Sequence, residues 1–294
     1  MASATHVDSW SGTDVRVSEI ERALAELRRA DLHDDVPDLR TSVMTHLAWV
    51  PKDWVEAATK TLEGLGERHP SRTILLLADP DAEQDGIDAE VFVRCFAYPG
   101  LEQLVSTEVI QLHLRGKRTE VPASIVTPLL LHDLPVFLRW RGLPDFRGAS
   151  FEQLVEVVDR LIVDSTEWPG LPAPYARLAE FFDRTAVSDI AWARTERWRR
   201  QLATLWPGIE DVRQLRITGT AAQAHLLAGW LRSRLGRREI TLEHEPGERL
   251  VGVEVDGEPT PFPPGDAPPP SELLSDELDR YGRDPVYEAA VRAA

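Results

Sequence analysis

The chain is poor in cysteine, in positive charge and in long apolar runs, and each shortage closes off a class of function. One cysteine, Cys95, stands among 294 residues. A single thiol cannot close an internal disulfide, and no cysteine-based zinc site can be built from it. Within Val91-Phe92-Val93-Arg94-Cys95-Phe96 it reads as a small apolar residue of a strand core. Lysine and arginine number 33 against 49 aspartates and glutamates, a net charge of −16. Such an excess repels phosphate backbones and anionic lipid, which argues against nucleic acid and membrane partners. The longest apolar run, Ala221 to Leu231, is broken by Gln223 and His225. It is far shorter than the roughly 20 residues a spanning helix needs and reads as a buried helix. Met1 to Asp14 has no basic stretch leading into an apolar one, so no signal peptide is expected and a cytoplasmic location is.

The familiar catalytic motifs are missing as well. There is no G-x-G-x-x-G and no Walker lysine, and Gly64-Leu65-Gly66 runs into Glu67 and Arg68 at a helix end instead of opening a helix. No serine sits in a G-x-S-x-G elbow. The eight histidines are scattered, and a turn accounts for His132-Asp133. Asp79-Pro80-Asp81-Ala82-Glu83-Gln84-Asp85-Gly86 resembles the start of a calcium loop, but Phe92 stands where the bidentate glutamate is required and the flanks read as strands. That segment is expected to be a solvated loop. No metal, no cofactor and no catalysis are expected.

What is present is an ordinary globular balance, 43% hydrophobic and 28% charged, in a chain long enough to bury about three quarters of its unfolded surface. The residues before Val15 read as unstructured. Ile20, Leu24 and Leu27 are spaced for a helix from Ser18, followed by an acidic linker, Asp31 to Asp38. Residues 1–38 are therefore read as a disordered start and helical arm. From there strands and helices alternate: a strand over Ser42–Val50, a helix from Pro51 to about Glu67, a turn at His69-Pro70-Ser71-Arg72, and strands over Thr73–Ala78, Ala89–Tyr98 and Glu108–Arg115. A buried helix (Val121–Leu131), a strand (Leu134–Trp140), a helix (Phe151–Val158) and a short strand (Leu161–Asp164) follow. This pattern predicts a three-layer α/β domain with a mixed sheet over 39–170. The texture changes at Pro169–Pro174. Residues 171–294 are read as a smaller α+β domain, with helices at Tyr175–Arg184, Asp189–Trp206 and Ala221–Leu235, strands at Arg213–Thr218, Glu239–Glu245 and Leu250–Val255, a proline-rich stretch (Pro259–Pro270) and two short final helices.

Nine tryptophans and their arginine neighbours are the most informative feature. Arg139-Trp140-Arg141 ends a strand, where α/β proteins present functional groups. Trp192-Ala193-Arg194 and Arg197-Trp198-Arg199-Arg200 share one predicted helix. Tryptophan and arginine are favoured anchors at protein interfaces, although buried aromatic stripes also fill cores.

Five segments in order complete the picture: His69-Pro70-Ser71-Arg72; Pro128 to Trp140; Asp159-Arg160-Leu161-Ile162-Val163-Asp164-Ser165; Asp189 to Arg194 with Trp198-Arg199; and Leu227-Ala228-Gly229-Trp230-Leu231. Together, from about Leu39 to Asp284-Pro285-Val286-Tyr287, they resemble the OpcA family of glucose-6-phosphate dehydrogenase assembly proteins. The resemblance implies a non-catalytic factor that binds glucose-6-phosphate dehydrogenase, helps its oligomers form and raises its activity allosterically, in the pathway that makes NADPH. Some relatives are tied to thioredoxin through cysteine pairs, a device that Cys95 alone cannot reproduce. Such an activator needs only to bind the active conformation more tightly than the inactive one. An affinity ratio of one to two orders of magnitude takes about 1.4 to 2.8 kcal/mol. The residues expected to contact the partner or shape its site are His69, Arg72, Arg139, Trp140, Asp164, Ser165, Trp192, Arg194 and Trp198. The alternatives are a small-anion module, for a sugar phosphate held near Arg72 and Arg139, and an enzyme with a site at the sheet edge.

Overall fold

The computed structural model describes residues 4–30, 42–62, 69, 71–97 and 104–294. The chain divides into two units, Met1–Leu161 and Ile162–Ala294.

The first unit runs β1 (Ala4–Gly12), α1 (Val17–Ala30), β2 (Met44–Pro51), α2 (Val55–Leu62), β3 (Ser71–Asp79), β4 (Gly86–Ala97), β5 (Leu104–Arg115), α3 (Pro122–Val126), β6 (Val136–Trp140) and α4 (Ala149–Glu156), with β7 (Arg160–Val163) straddling the division. The order β1-β4-β5-β3-β2-β6 makes a mixed sheet. β5, β3, β2 and β6 are parallel, and β4 and β1 are added antiparallel. Alternation along the strands assigns the two faces. Ala48 and Val50 of β2, with Leu75 and Leu77 of β3, pack under Ala58, Trp54 and Val55 of the α2 region. Arg72 of β3 and its register partner Glu108 point the other way and meet Arg28 of α1. Trp49 stacks on Trp140 with ring centres 4.9 Å apart, and Phe151 of α4 meets Trp140 edge-on. Helices therefore cover both faces of a sheet whose middle strands are near-continuous apolar runs, the three-layer arrangement that such runs require.

The second unit contains α5 (Ala173–Leu178), β8 (Ala186–Asp189), which neighbours β7, then α6 (Ile190–Arg194), α7 (Glu196–Ala203), β9 (Gln214–Gly219), α8 (Ala221–Leu235), β10 (Thr241–Pro246), β11 (Gly252–Val255), β12 (Glu258–Pro259), α9 (Pro270–Leu278) and α10 (Pro285–Arg292). A small sheet in the order β10-β9-β11-β12 buries Leu215, Ile217 and Val253 against Leu227, Ala228 and Leu231 of α8, with Trp198 and Leu202 of α7 in the same cluster. α8 opens with a capping box between Thr220 and Gln223 and closes on Gly236 at φ +66°, the two signals that define a helix start and stop. Gly229 answers to packing: a Cβ there would lie 2.2 Å from the Ala290 carbonyl oxygen of α10.

Several elements differ from the sequence reading. Ala4–Gly12, expected to be unstructured, is β1, paired along its length with β4 so that Trp10 opposes Val91. Ser9, Asp8 and Ser11 give no apolar alternation, and the ladder offered by β4 overrides their weak propensity. The helix expected over Val121–Leu131 stops as α3 at Val126 and continues as a 3₁₀ turn, Thr127–Leu129, since Pro128 removes an intrahelical donor. Pro51 ends β2 and also caps a 3₁₀ turn, Lys52–Trp54, that leads into α2 at Val55, so the helical stretch begins one residue later than expected and in 3₁₀ form; residues 63–67 of the expected helix lie outside the described residues. Ser71 and Arg72, expected in a turn, already belong to β3. The helix expected over Tyr175–Arg184 is α5 plus a 3₁₀ turn, Ala179–Phe181. The long helix over Asp189–Trp206 is two, because Asp189 ends β8 and Thr195 interrupts. Thr195 Oγ1 donates to the Trp192 carbonyl at 2.7 Å, a side-chain competitor for the helical ladder. The Asp31–Asp38 linker and the side chain of Cys95 lie outside the described residues.

Candidate functional site

The second unit brings together three of the polar residues singled out above, Asp164, Ser165 and Arg194. Asp164 follows β7 and caps the 3₁₀ turn Ser165–Glu167, accepting from the Thr166 backbone N–H at 3.2 Å and its hydroxyl at 2.6 Å. Arg194, at the end of α6, donates to both Asp164 carboxylate oxygens at 2.8 and 2.9 Å. Ser165 is fully buried. Its backbone N–H donates to Asp189 Oδ1 at 3.0 Å, its hydroxyl donates to Asp189 Oδ2 at 2.6 Å, and its Oγ lies 2.9 Å from the Tyr175 hydroxyl. Asp189 caps α6 by accepting from the Ala191 N–H at 2.8 Å, and Tyr287 of α10 donates to Asp189 Oδ2 at 3.4 Å.

Burial pushes the Asp189 carboxyl up to about 7. The Asp164 charge adds to this, and the donors on Ser165 and Ala191 oppose it. The Tyr175 and Tyr287 hydroxyls are held well above their ordinary range, first by burial and then by Asp189. Chemically this is a buried hydrogen-bonded core. Ser165 donates to a carboxylate with no imidazole among its described partners, and its oxygen has no exposure through which a substrate could approach.

Trp192 and Trp198 are both buried but serve different places. Trp192 Nε1 donates to Asp284 at 2.9 Å, and Asp284 in turn caps α10 through the Val286 and Tyr287 N–H groups. The Arg199 guanidinium sits 3.5 Å from the centre of the Trp192 ring, a close cation–π contact. Burial lowers the Arg199 pKa to about 10 against the favourable charges of Glu196 and Asp284. Trp198 meets the ring of Phe262 edge-on at 5.5 Å and lines an open cavity of about 480 Å³. α7, the segment Arg249–Val251, α9 and the proline-rich strap from Phe262 to Pro268 build the walls of this cavity. Arg197 fastens the strap. Its guanidinium donates to the carbonyls of Pro263 (2.7 Å), Pro264 (2.9 Å) and Gly265, and it lies 5.9 Å from the Phe262 ring centre.

In the first unit Arg72 is buried, donating to Glu108 at 2.7 Å and to the Leu129 carbonyl at 2.6 Å, while Arg28 donates to the same carboxylate at 2.9 Å. Burial would raise Glu108, but the hydrogen bonds and charges of Arg28 and Arg72 outweigh it and hold the carboxyl below its ordinary value. His69 is buried, Arg139 donates to the Trp140 carbonyl, and Trp140 is covered by Trp49 and Phe151. Arg139 shares the α2 face, since it pairs with Ala48, which pairs with Leu75. Arg72 is on the opposite face, so the two cannot converge on one anion, and the sugar-phosphate site expected near them is not formed. Beside Arg139, burial lowers His46 to about 4, with the charges of Arg139, His69 and Arg141 adding to it.

The former calcium candidate is a loop in which Asp85 serves the backbone, accepting from the Lys117 N–H at 2.9 Å. Among the described residues no three His, Cys, Asp or Glu side chains are grouped to hold a metal ion, and no described helix is long and apolar enough to cross a membrane.

Sequence reasoning passed over Glu108, Tyr175, Asp189, Asp284 and Tyr287 as site residues. Three of the aspartates in these clusters, Asp164, Asp189 and Asp284, stand immediately before a helical turn, the capping signal that could have marked them.

These features define a two-unit, mixed α/β protein whose conspicuous polar residues are spent on its own interior and whose second unit keeps an open, arginine- and aromatic-lined cavity. Residues 63–181 match the family described as the glucose-6-phosphate dehydrogenase subunit N-terminal domain, and residues 185–291 match its C-terminal counterpart. The chain belongs to this OpcA family of glucose-6-phosphate dehydrogenase assembly domains. Curated relatives named "Putative OxPP cycle protein OpcA" agree. The one from Synechococcus elongatus is 28% identical over 225 residues, covering 68% of this chain and 50% of that protein. Those from Nostoc punctiforme and Synechocystis are 27% identical over 192 and 191 residues, covering 62% and 61% of this chain and 41% and 40% of theirs. The chain thus spans half or less of the length of these relatives. No solved structure matches it.

Proposed function

We propose that this chain is a non-catalytic assembly factor that binds glucose-6-phosphate dehydrogenase and raises its activity by favouring the enzyme's active conformation, as a cytoplasmic component of the oxidative pentose phosphate pathway. The observation that carries this reading is that both matched regions, together covering most of the chain, are described as subunit domains of that enzyme. The placement of the singled-out residues supports it. Asp164, Ser165, Asp189, Trp192 and Arg194 hold the second unit in one shape, as a protein working through its surface requires. On this reading Trp140, Trp192 and Trp198 shape the binding surface from beneath, since all three are buried. Activation follows from differential affinity, and a tenfold preference for the active state takes about 1.4 kcal/mol. The test mixes the purified chain with its organism's own dehydrogenase and follows co-elution and initial rates. A shared elution peak with higher kcat or lower KM is expected. Separate peaks with unchanged kinetics would overturn the reading.

A further inference from the structure

The cavity in the second unit has open lips that its own residues leave apolar. Among the described residues the large hydrophobic side chains left exposed are few, and two of them line this cavity. Phe262 on the strap is 63% exposed and Val251 is 42% exposed. Beneath them Trp198, only 4% exposed, and Leu273 form a firm apolar floor. Clustered exposed apolar residues around a concavity, with arginine and aromatic side chains, mark an interaction site.

Charge narrows the occupant. The lining carboxylates Glu196 and Glu277 are already paired with Arg200 and Arg280. Arg249 beside Val251 and Asp266 beside the strap's Gly265 make no ion pair among the described residues. Phe262 and Val251 both line the cavity and are largely exposed, so an occupant that covers the two presents apolar surface to them.

We propose that this cavity is the socket by which the second unit takes hold of glucose-6-phosphate dehydrogenase. The occupant is a surface segment of that enzyme presenting an apolar side chain between a carboxylate, which meets Arg249, and a cation, which meets Asp266. The proposal rests on the partnership argued above. Aromatic and aliphatic anchors seated in such pockets carry most of an interface's affinity, and the polar rim supplies register and on-rate.

The test measures the Kd of the dehydrogenase for the wild-type chain and for Val251→Ala, Phe262→Ala and Arg249→Glu, each first shown to melt like wild type. Val251→Ala and Arg249→Glu leave the strap's fastening at Arg197 untouched, so they report on the socket even if Phe262→Ala loosens the strap. A rise in Kd of about tenfold is expected for each apolar truncation, with a slower, less salt-sensitive association for Arg249→Glu. Wild-type affinity in all three variants, with the complex intact, overturns the socket and leaves the partnership standing. A wild-type chain that does not bind the enzyme removes both. Variants that change only the chain's self-association make a second copy the occupant, which also overturns the proposal.

Discussion

Replacing Asp189 with asparagine should change how stability depends on pH more than it changes stability itself. Asp189 titrates near 7 in the folded unit, mainly because it is buried and secondarily because Asp164 is close; in the unfolded chain an aspartate titrates at about 3.9. A carboxyl whose pKa is raised on folding favours the fold while protonated. That contribution is complete below about pH 4 and is lost as pH rises to about 7, because the unfolded state gives up its proton first. About three pH units at 1.36 kcal/mol each amount to about 4 kcal/mol, an upper figure because unfolded chains retain some burial. Asparagine keeps the oxygen that accepts from the Ser165 and Ala191 N–H groups and presents a donor to the Ser165 hydroxyl, so near pH 4 the two proteins should differ by about 1 kcal/mol or less.

His46 must be separated from this effect. It titrates near 4 when folded, against an ordinary 6.5. Its contribution is therefore present above pH 6.5 and is lost as pH falls through 4, opposite in sign to that of Asp189. His46 lies in the first unit and Asp189 in the second, so each slope belongs to the unfolding of its own unit. His225 of the second unit, whose pKa burial also lowers, acts in the same direction as His46, so the comparison of Asp189→Asn with wild type at each pH is what isolates Asp189. Urea unfolding followed by tryptophan fluorescence at half-unit steps from pH 4.5 to 8.5 measures the difference. The variant's advantage should grow with pH and level off above about 7. Parallel curves would refute the reasoning, for they would mean that Asp189 is already ionised across the range despite its burial.

Glu108→Gln leaves Arg28 and Arg72 packed against a neutral amide, one of them deep in the sheet face, and should cost the first unit about 3 to 5 kcal/mol; thermal unfolding of the variant beside Arg28→Ala, which keeps the buried Arg72–Glu108 pair, should show the former as clearly the worse. Gly229→Ala gains about 1 kcal/mol of helix propensity, yet its methyl would sit 2.2 Å from the Ala290 carbonyl oxygen, so a net loss of about 1 to 3 kcal/mol is expected; a melting temperature at or above wild type would show that α10 shifts freely.

How far the sequence could be read depended on whether the signal was local. α8 was legible residue for residue because Thr220, Gln223 and Gly236 mark its two ends within the chain itself. The central strands were legible from Thr73–Ala78 and its neighbours, since strands buried on both faces must be apolar throughout. β1 was not, because nothing in Ser9 or Ser11 announces the ladder that β4 supplies from some eighty positions away. The break at Thr195 turns on one hydroxyl choosing the Trp192 carbonyl, a choice a helical wheel cannot show. Of the nine chosen residues, Asp164, Ser165 and Arg194 fall in one core, Arg194 also lines the cavity with Trp198, Trp192 sits at α10, and His69, Arg72, Arg139 and Trp140 are buried in the first unit. The pairing of Arg72 with Arg139 failed because strand register, which sets the two on opposite faces, is invisible until the strands are paired.

The grip of Arg197 on the strap has an evolutionary corollary. Its three acceptors are main-chain carbonyls, which every amino acid carries, so side chains along the strap can change without unfastening it, save at Gly265, whose φ of +84° suits glycine. On the socket proposed above, changes in the strap's outward side chains would therefore register as altered preference for a segment before they registered as instability.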